Sequence, residues 1–291
     1  MPNTIESDIF KESIKLALRE DLEPFGDITS LAFKDSWINK NLKLKVKARN
    51  SSGIMSGLGF ANWVYTYLCP SIKIIPKKQN GESFKAYEEL IEIEGSIDYI
   101  LKGERIFLNL LQRAISIATY TNQFVQTIQP NSITKILDTR KTTPCFRELE
   151  KAAVRDGGGL NHRYNLATGI LIKDNHIAAL GGNIELALKL AKEKAPYLTK
   201  IEIEIDSFEQ LERILKLPLR LKPDIVLLDN FEIVNLEKAL KMIDSSLLTE
   251  VSGGVNLTNI KSIADLKPDF ISIGSLTQNT PSIDIGLDFL F

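Results

Sequence analysis

The densest group of residues that could do chemistry lies between Asp138 and His176. This segment holds both histidines of the chain and seven Lys or Arg against five Asp or Glu. An arginine binds a carboxylate through two parallel hydrogen bonds, and a lysine presents a point charge to phosphate. Arg140, Lys141 and Arg163 lie beside predicted turns and glycines, so they favour a binding site for an anion.

His162 lies in the same stretch, directly after Gly157–Leu160 and Asn161. Three consecutive glycines indicate a tight turn or a close approach of the backbone to another group. Two interpretations of His162 stay open at this point. It is either a ligand of the anion or a hydrogen-bonded structural histidine.

Six apolar, β-rich runs in the second half of the chain alternate with helical patterns. The runs are Ile133–Asp138, Gly169–Lys173, Ile201–Asp206, Asp224–Asp229, Leu247–Val251 and Phe270–Ile273. This alternation predicts βαβ units and a parallel sheet. Polar, charged or glycine residues follow all six runs. Because the carboxyl ends of parallel strands meet at one edge, we expect a functional site there.

Two of these strand ends carry carboxylates, Glu204 and Asp229. Such a pair can hold Mg²⁺ or the hydroxyl groups of a sugar. Asp206 precedes a pattern that resembles a helix capping box, Ser207–Gln210, so we assign it to the start of a helix. Glu202 lies deeper in its strand and receives no role.

Two other strand ends are rich in glycine and serine: Ser252-Gly253-Gly254 and Ile273-Gly274-Ser275. Small residues between a strand and a helix let backbone N–H groups approach an anion, and the helix dipole adds to the attraction. Phosphate sites in parallel barrels commonly follow the last strands. Two tight turns without a ligand are the alternative.

The first third of the chain predicts a mixed α and β unit. Asn41–Ala48 alternates leucine, valine and alanine with lysine, which is typical of a half-buried strand. Helices are expected over Ser7–Glu20, Phe60–Leu68 and Gly103–Ile128, the last of them without proline.

The composition excludes several classes of function. The net charge is −1, so the chain has no overall basic field to recruit nucleic acid or a membrane. Two cysteines far apart, Cys69 and Cys145, argue against a zinc site and suit a reducing compartment. Neither a signal peptide nor an apolar membrane span is evident. The expected location is the cytoplasm.

The motifs together resemble one known family. The dense segment carries Asp138–Pro144, Glu150–Val154, Gly157–Arg163 and Leu171–His176. Elsewhere lie Glu20-Asp21, Gly26–Ser30, Glu104-Arg105, Asn109–Arg113, Glu202–Asp206, Leu228–Asn230, Ser252–Asn256 and Ile273–Thr277. Over nearly its whole length the chain resembles the quinolinate phosphoribosyltransferases, the carboxylating nicotinate-nucleotide pyrophosphorylases.

The resemblance implies a fold and an assembly. An N-terminal open-faced α/β sandwich would cover residues 1–115, joined by the C-terminal tail 278–291. An incomplete parallel α/β barrel of about seven strands would cover residues 116–277. A homodimer is implied, with higher assemblies in the family, in which Arg105 of one subunit enters the pocket of its partner.

The resemblance also implies a reaction. The phosphoribosyl group of phosphoribosyl pyrophosphate would be transferred to quinolinate with Mg²⁺, giving nicotinate mononucleotide, pyrophosphate and CO₂ in NAD biosynthesis. Arg105, Arg140, His162 and Arg163 would bind the carboxylates of quinolinate, and Thr139 would also bind substrate. Lys141 and Lys173 would meet carboxylate and pyrophosphate. Glu204 and Asp229 would hold the ribose and Mg²⁺, and Ser252–Gly254 with Ile273–Ser275 would bind the 5-phosphate. Lys141, Lys173, Glu204 and Asp229 would be the catalytic group.

The sequence departs from the family pattern in three places. Glu23-Pro24-Phe25 alters the turn before Gly26, Cys145 replaces a usual glycine, and Thr168 replaces a common aspartate or glycine. Two rival functions are a molybdenum-operon paralogue of the same fold and a non-catalytic phosphosugar or nucleotide sensor. The intact Lys173–His176 motif argues against the paralogue, and the full set of charged residues argues against the sensor.

Overall fold

The structure is a computed structural model that describes residues 8–37, 40–128 and 132–289. The chain divides into two compact units. The first unit contains Met1–Asn122, Thr142–Gly158 and Leu276–Phe291, and the second contains Gln123–Lys141 and Gly159–Ser275. This division places residues 142–158 with the N-terminal unit.

The elements follow one another in the order below. The N-terminal half contains α1 (Asp8–Leu22), α2 (Ile28–Ala32), α3 (Lys34–Trp37), β1 (Asn41–Ala48), β2 (Gly53–Ile54), α4 (Leu58–Leu68), β3 (Lys73–Pro76), β4 (Ser83–Phe84), β5 (Glu89–Ser96) and α5 (Ile97–Thr127). The C-terminal half contains β6 (Lys135–Leu137), α6 (Arg147–Asp156), β7 (Ile170–Ile172), α7 (Asp174–Ala179), α8 (Ile184–Lys194), β8 (Ile201–Ile205), α9 (Phe208–Leu215), a 3₁₀ turn (Leu219–Leu221), β9 (Ile225–Asp229), α10 (Ile233–Ile243), β10 (Leu248–Ser252), α11 (Ile260–Asp265), β11 (Phe270–Ser272), α12 (Ser275–Gln278) and β12 (Ile285–Phe289).

The first unit is built on a four-stranded antiparallel sheet in the order β12-β1-β5-β3. The predicted alternation of β1 is confirmed, because Leu44, Val46 and Ala48 are buried. On the opposite face Lys43 lies 3.4 Å from Glu92, and Lys45 pairs with a further glutamate of β5. The lysine face is therefore matched by carboxylates within the same sheet.

The buried carboxylate of Glu150 joins three segments of the first unit. Arg113 on α5 donates to it from Nε (3.0 Å) and Nη2 (2.8 Å). Thr143 donates from its hydroxyl (2.7 Å) and its backbone N–H (3.1 Å). Glu150 itself is on α6 and is fully buried. Charged groups removed from water are tolerated only when paired and hydrogen-bonded in this way.

The second unit is a six-stranded parallel sheet in the order β6-β11-β10-β9-β8-β7. All six predicted apolar runs form its strands, which confirms the α/β class. The expected number was about seven strands. Beyond β6 the next position is occupied by Leu160 alone, which makes a single parallel bridge to Leu137. Glycines 157–159 lead into this position, and the described chain makes no longer pairing there.

The helix expected directly after Ser252-Gly253-Gly254 starts later in the structure, because α11 begins only at Ile260. The side-chain oxygen of Asn256 accepts hydrogen bonds from Thr258 and Asn259, so a local turn replaces the first helical residues. The predicted capping box is not formed, because Ser207 gives no side-chain cap and Gln210 accepts instead from the N–H of Asp206 (2.9 Å), one residue before the N-cap.

Within the described ranges, none of the helices combines the length and the apolar character that crossing a membrane requires. Cys69 and Cys145 are both free thiols.

Replacing Glu150 with Ala should lower the free energy of unfolding by about 2–4 kcal/mol, because Arg113 and the Thr143 N–H lose their acceptor. Urea unfolding measures the change. The control is Glu237→Ala, which removes an exposed pair with Lys241 and should cost less than about 0.5 kcal/mol. Equal effects in the two variants would contradict the anchoring role of Glu150.

Candidate active site

The predicted site residues of the second unit lie at one edge of its parallel sheet. Thr139, Arg140 and Lys141 follow β6, and Lys173 follows β7. Glu204 lies near the end of β8. Asp229 is the last residue of β9, and Ser252 is the last residue of β10. Ile273-Gly274-Ser275 follow β11. The carboxyl ends of neighbouring strands bring these residues together, as the sequence predicted. Arg105 lies on α5 of the first unit, where its side chain is exposed.

The fully buried carboxylate of Asp138 fixes two cationic segments relative to each other. It follows β6 and precedes Thr139 and Arg140. Its oxygens accept from the backbone N–H of His162 (2.8 Å) and from the side-chain amide of Asn161 (2.7 Å). The segment that carries Arg163 is thereby tied to the strand end that carries Arg140. Sequence analysis placed Asp138 in a motif but gave it no role.

Arg163 is held close to a second positive charge. Its Nη1 donates to the carbonyl of Gly169 (3.0 Å). Burial, and then the nearby charge of Arg140, lower the pKa of the Arg163 guanidinium, while Glu202 acts in the opposite direction. Two guanidinium groups held near one another repel, and an anion between them removes that repulsion. This arrangement fits a carboxylate ligand.

His162 is hydrogen-bonded within the second unit. Its Nε2 lies 2.9 Å from Glu202 and 3.5 Å from Glu250, and its Nδ1 accepts from the backbone N–H of Arg163 (2.7 Å). Of the two interpretations of His162, this geometry favours the structural one. Glu250 was missed and Glu202 had no role, because acidic residues inside a strand buried on both faces give no signal of which way they point.

The same three residues are the possible metal ligands that stand out in the described ranges. His162, Glu202 and Glu250 each offer a ligand atom, and these atoms lie within 4.8 Å of one another. The 2.9 Å contact between Nε2 and Glu202 is also the distance of an N–H···O hydrogen bond. A proton between these atoms is therefore sufficient to explain their approach.

Lys173 and Glu204 form an ion pair at neighbouring strand ends. The Lys173 ammonium lies 2.5 Å from a Glu204 oxygen. Nearby on the next strand, Asp229 accepts from the side-chain amide of Asn230 (2.8 Å). His176 has a local role, since its Nδ1 accepts from the Lys173 N–H (2.9 Å) where α7 begins. One ammonium and two carboxylates thus share this part of the edge.

The turn after β10 depends on two glycines in the left-handed region. Gly253 has φ +90° and Gly254 has φ +62°. A side chain at Gly253 would overlap the amide of Asn230, whereas no atom of the described residues lies within 4 Å of the corresponding position at Gly254. Because α11 starts only at Ile260, no helix dipole acts on this turn, contrary to the expectation. Gly274-Ser275 does open a helix, of a single turn.

Comparison with known proteins identifies the family. The model for the N-terminal domain of quinolinate phosphoribosyl transferase matches residues 27–115, and the model for its C-terminal domain matches residues 117–288. The chain belongs to the quinolinate phosphoribosyltransferase family. The resemblance inferred from the motifs is thereby confirmed.

Relatives and a solved structure are similar over most of their length. A probable carboxylating nicotinate-nucleotide pyrophosphorylase of Methanocaldococcus jannaschii is 37% identical, over 95% of this chain and 96% of the relative. Its counterpart in Bacillus subtilis is 36% identical, over 90% and 88%. The crystal structure of the nicotinate-nucleotide pyrophosphorylase from Ehrlichia chaffeensis has a TM-score of 0.88 at 36% identity and covers 97% of this chain and 98% of that one.

The family departure at Cys145 has a backbone consequence. Cys145 is exposed and has φ +66°, in the left-handed region that glycine adopts without strain. A side chain costs about 1 kcal/mol in that region. Cys145 therefore occupies a backbone conformation that glycine would adopt without this cost.

Cys145→Gly should raise the free energy of unfolding by about 0.5–1 kcal/mol because it removes this strain. Cys69→Gly is the control, since Cys69 has an extended backbone at φ −163° and should lose stability instead. Thermal unfolding of both variants checks the sign. A destabilised Cys145→Gly protein would contradict the assignment of strain.

Gly253→Ala should destabilise the protein by about 2–4 kcal/mol, since it adds a clash with Asn230 to the strain of positive φ. Gly254→Ala is matched in backbone conformation but has open space, so a cost of about 1 kcal/mol is expected. Urea unfolding separates the two effects. Equal costs would show that the approach of Asn230 does not constrain the turn.

Proposed function

We propose that this chain transfers the phosphoribosyl group of phosphoribosyl pyrophosphate to quinolinate, with loss of CO₂, and forms nicotinate mononucleotide and pyrophosphate. Membership of the family supports the proposal. The observation that carries it is the convergence of Arg140, Arg163, Lys141 and Lys173 with two carboxylates at one edge of a parallel sheet. A dicarboxylate and a pyrophosphate ester require several cations for their negative groups, and a ribose or a metal ion requires nearby carboxylates.

In this proposal the guanidinium groups bind the two carboxylates of quinolinate. Arg140 and Arg163 lie near each other and repel, so a carboxylate between them is stabilised. Thr139 lies beside them, where its hydroxyl accepts from the Lys141 N–H (3.0 Å). His162 acts here through its hydrogen bonds to the Arg163 backbone and to Glu202.

The remaining strand ends bind the phosphoribosyl donor. Lys141 and Lys173 face the pyrophosphate, and Ser252–Gly254 with Ile273–Ser275 bind the 5-phosphate. Glu204 and Asp229 hold the ribose hydroxyls. The side-chain oxygen of Ser275 is buried and has no hydrogen-bond partner among the described residues, which leaves it available to a phosphate oxygen.

The same two carboxylates fit Mg²⁺, which is commonly bound by one or two carboxylates together with substrate phosphates. Glu204 and Asp229 supply such a pair, and they do not belong to the buried cluster of His162. When bound, the cation would neutralise charge on the pyrophosphate.

The chemistry asks the protein mainly to position the reactants and stabilise charge. The pyridine nitrogen of quinolinate forms a bond to the ribose anomeric carbon as the bond from that carbon to pyrophosphate breaks. Charge then develops on pyrophosphate, where Lys141 and Lys173 stabilise it. The ring nitrogen of the adduct is cationic, so the electron pair left by departing CO₂ is stabilised and is then protonated by water.

We further propose a cytoplasmic homodimer in which Arg105 completes the partner's dicarboxylate site. The exposed position of Arg105 on α5 and the implied arrangement of the family support this assembly. The free thiols of Cys69 and Cys145 suit the reducing environment of the cytoplasm.

The purified protein should form nicotinate mononucleotide only when quinolinate, phosphoribosyl pyrophosphate and Mg²⁺ are all present. Lys141→Ala should abolish turnover, since a charge on the leaving group is no longer stabilised. Lys241→Ala, on an exposed pair with Glu237, is the control and should keep full activity. Product from nicotinate at an equal rate, or no product at all, would overturn the proposed function.

Mixing inactive Arg105→Ala and Lys141→Ala proteins should restore activity if subunits exchange. A mixed dimer has one site with both residues intact, so about a quarter of wild-type activity is expected from statistical pairing. Product formation before and after a denature–renature mixing step measures it. The absence of any recovery in dimers shown to be mixed would contradict the donation of Arg105 between subunits.

A further inference from the structure

The imidazole of His162 connects the substrate-facing rim to two buried carboxylates. Its Nδ1 accepts the backbone N–H of Arg163 at 2.7 Å. An accepting Nδ1 carries no proton, so in the neutral ring the proton is on Nε2. That N–H points to Glu202 at 2.9 Å, with Glu250 at 3.5 Å. The ring of His162 therefore links the Glu202 side chain to the backbone of Arg163 through two hydrogen bonds.

The two carboxylates lie on strands that flank β9 and face the same interior. Glu202 is on β8, Glu250 is on β10, and both are buried. Burial, and then the charge of Glu202, raise the pKa of Glu250 above its ordinary value. Ser272 also hydrogen-bonds the Glu250 carboxyl group.

These interactions have little value as stabilisers of the core. One oxygen of Glu202 and one of Glu250 have no hydrogen-bond partner within the described ranges. Leaving buried polar atoms unsatisfied costs free energy, and two apolar side chains would fill the same space without that cost. A polar cluster kept at such a cost indicates that its geometry serves the site above it.

We propose that Glu202 and Glu250 are positioning residues which act through His162 to hold Arg163 in the geometry that binds the substrate dicarboxylate. The inference rests on the proposed function, because it takes a carboxylate as the ligand of Arg163. Asp138 holds the same turn from the other side, through the backbone N–H of His162. The turn is thus fixed at the backbone of His162 and at both nitrogens of its ring.

The experiment is calorimetric titration of the full chain with quinolinate, and separately with phosphoribosyl pyrophosphate and Mg²⁺. Glu202→Leu and Glu250→Leu should each weaken quinolinate binding about tenfold, the scale of one lost hydrogen bond. Glu202→Gln and Glu250→Gln retain polar partners of the same shape and should recover most of that affinity. Binding of the phosphoribosyl donor should change less than about twofold in all four variants, since the cluster is hydrogen-bonded to His162 and through it to Arg163, whereas Glu204 at the end of β8 is paired with Lys173.

A double-mutant cycle shows whether the glutamates act through Arg163. In an Arg163→Ala background, Glu202→Leu should produce no further loss of quinolinate affinity, since the group it positions is already absent. Additive losses, or equal weakening of both substrates, would overturn the inference and indicate a general structural role. Glu237→Gln, on the exposed face of α10, is the control for the substitution itself.

If the leucine variants do not fold, ¹⁵N NMR of histidine-labelled protein tests the inference by showing which ring nitrogen of His162 carries the proton. The chain has two histidines, and the signals that vanish in His162→Gln belong to His162. We expect a protonated Nε2 and an unprotonated Nδ1 in the wild-type protein. A proton on Nδ1 would overturn the inference.

Wild-type protein that binds no quinolinate would overturn the proposed function as well, whereas binding that is unaffected by all four variants would overturn the inference alone.

Discussion

The geometry of the site depends on the buried carboxylate of Asp138. Its two oxygens bind the backbone of His162 and the side chain of Asn161, so the turn that carries Arg163 cannot shift relative to the strand that ends at Arg140. Two guanidinium groups would separate if either segment were loose, because like charges repel. A buried acceptor with two strong donors opposes that separation. The strand ends of the parallel sheet then set the distances between the remaining cations and carboxylates.

Much of the architecture could be predicted from the sequence. Six apolar runs became six parallel strands, and the parallel arrangement alone placed Lys173, Glu204 and Asp229 at a common edge. The alternation of β1 fixed its buried face. These predictions succeed because periodicity and strand polarity are properties of the chain itself. The short elements β4 and α7 were missed, since a few residues carry no usable period, and β12 was missed because its partner lies far away in sequence.

The chemistry of the interior was less predictable. Whether Glu250 points inward, and whether a ring nitrogen of His162 donates or accepts, depends on neighbours contributed by three different strands. Strands buried on both faces lose the alternation that would reveal direction. The late start of α11 has a similar origin, because the side chain of Asn256 competes with the helix for its first N–H groups. Such local competitions are decided by geometry rather than by composition.

The pairing of β12 with β1 affects the order in which the first unit can fold during synthesis. During synthesis β1 and β5 emerge early, but the strand that covers the outer edge of β1 follows the entire second unit in sequence. Until then the growing chain presents an unpaired strand edge, a surface that invites association with other chains. The lysines of β1 keep one face of that ribbon charged and so oppose such association. The first unit is therefore begun first and finished last on the ribosome.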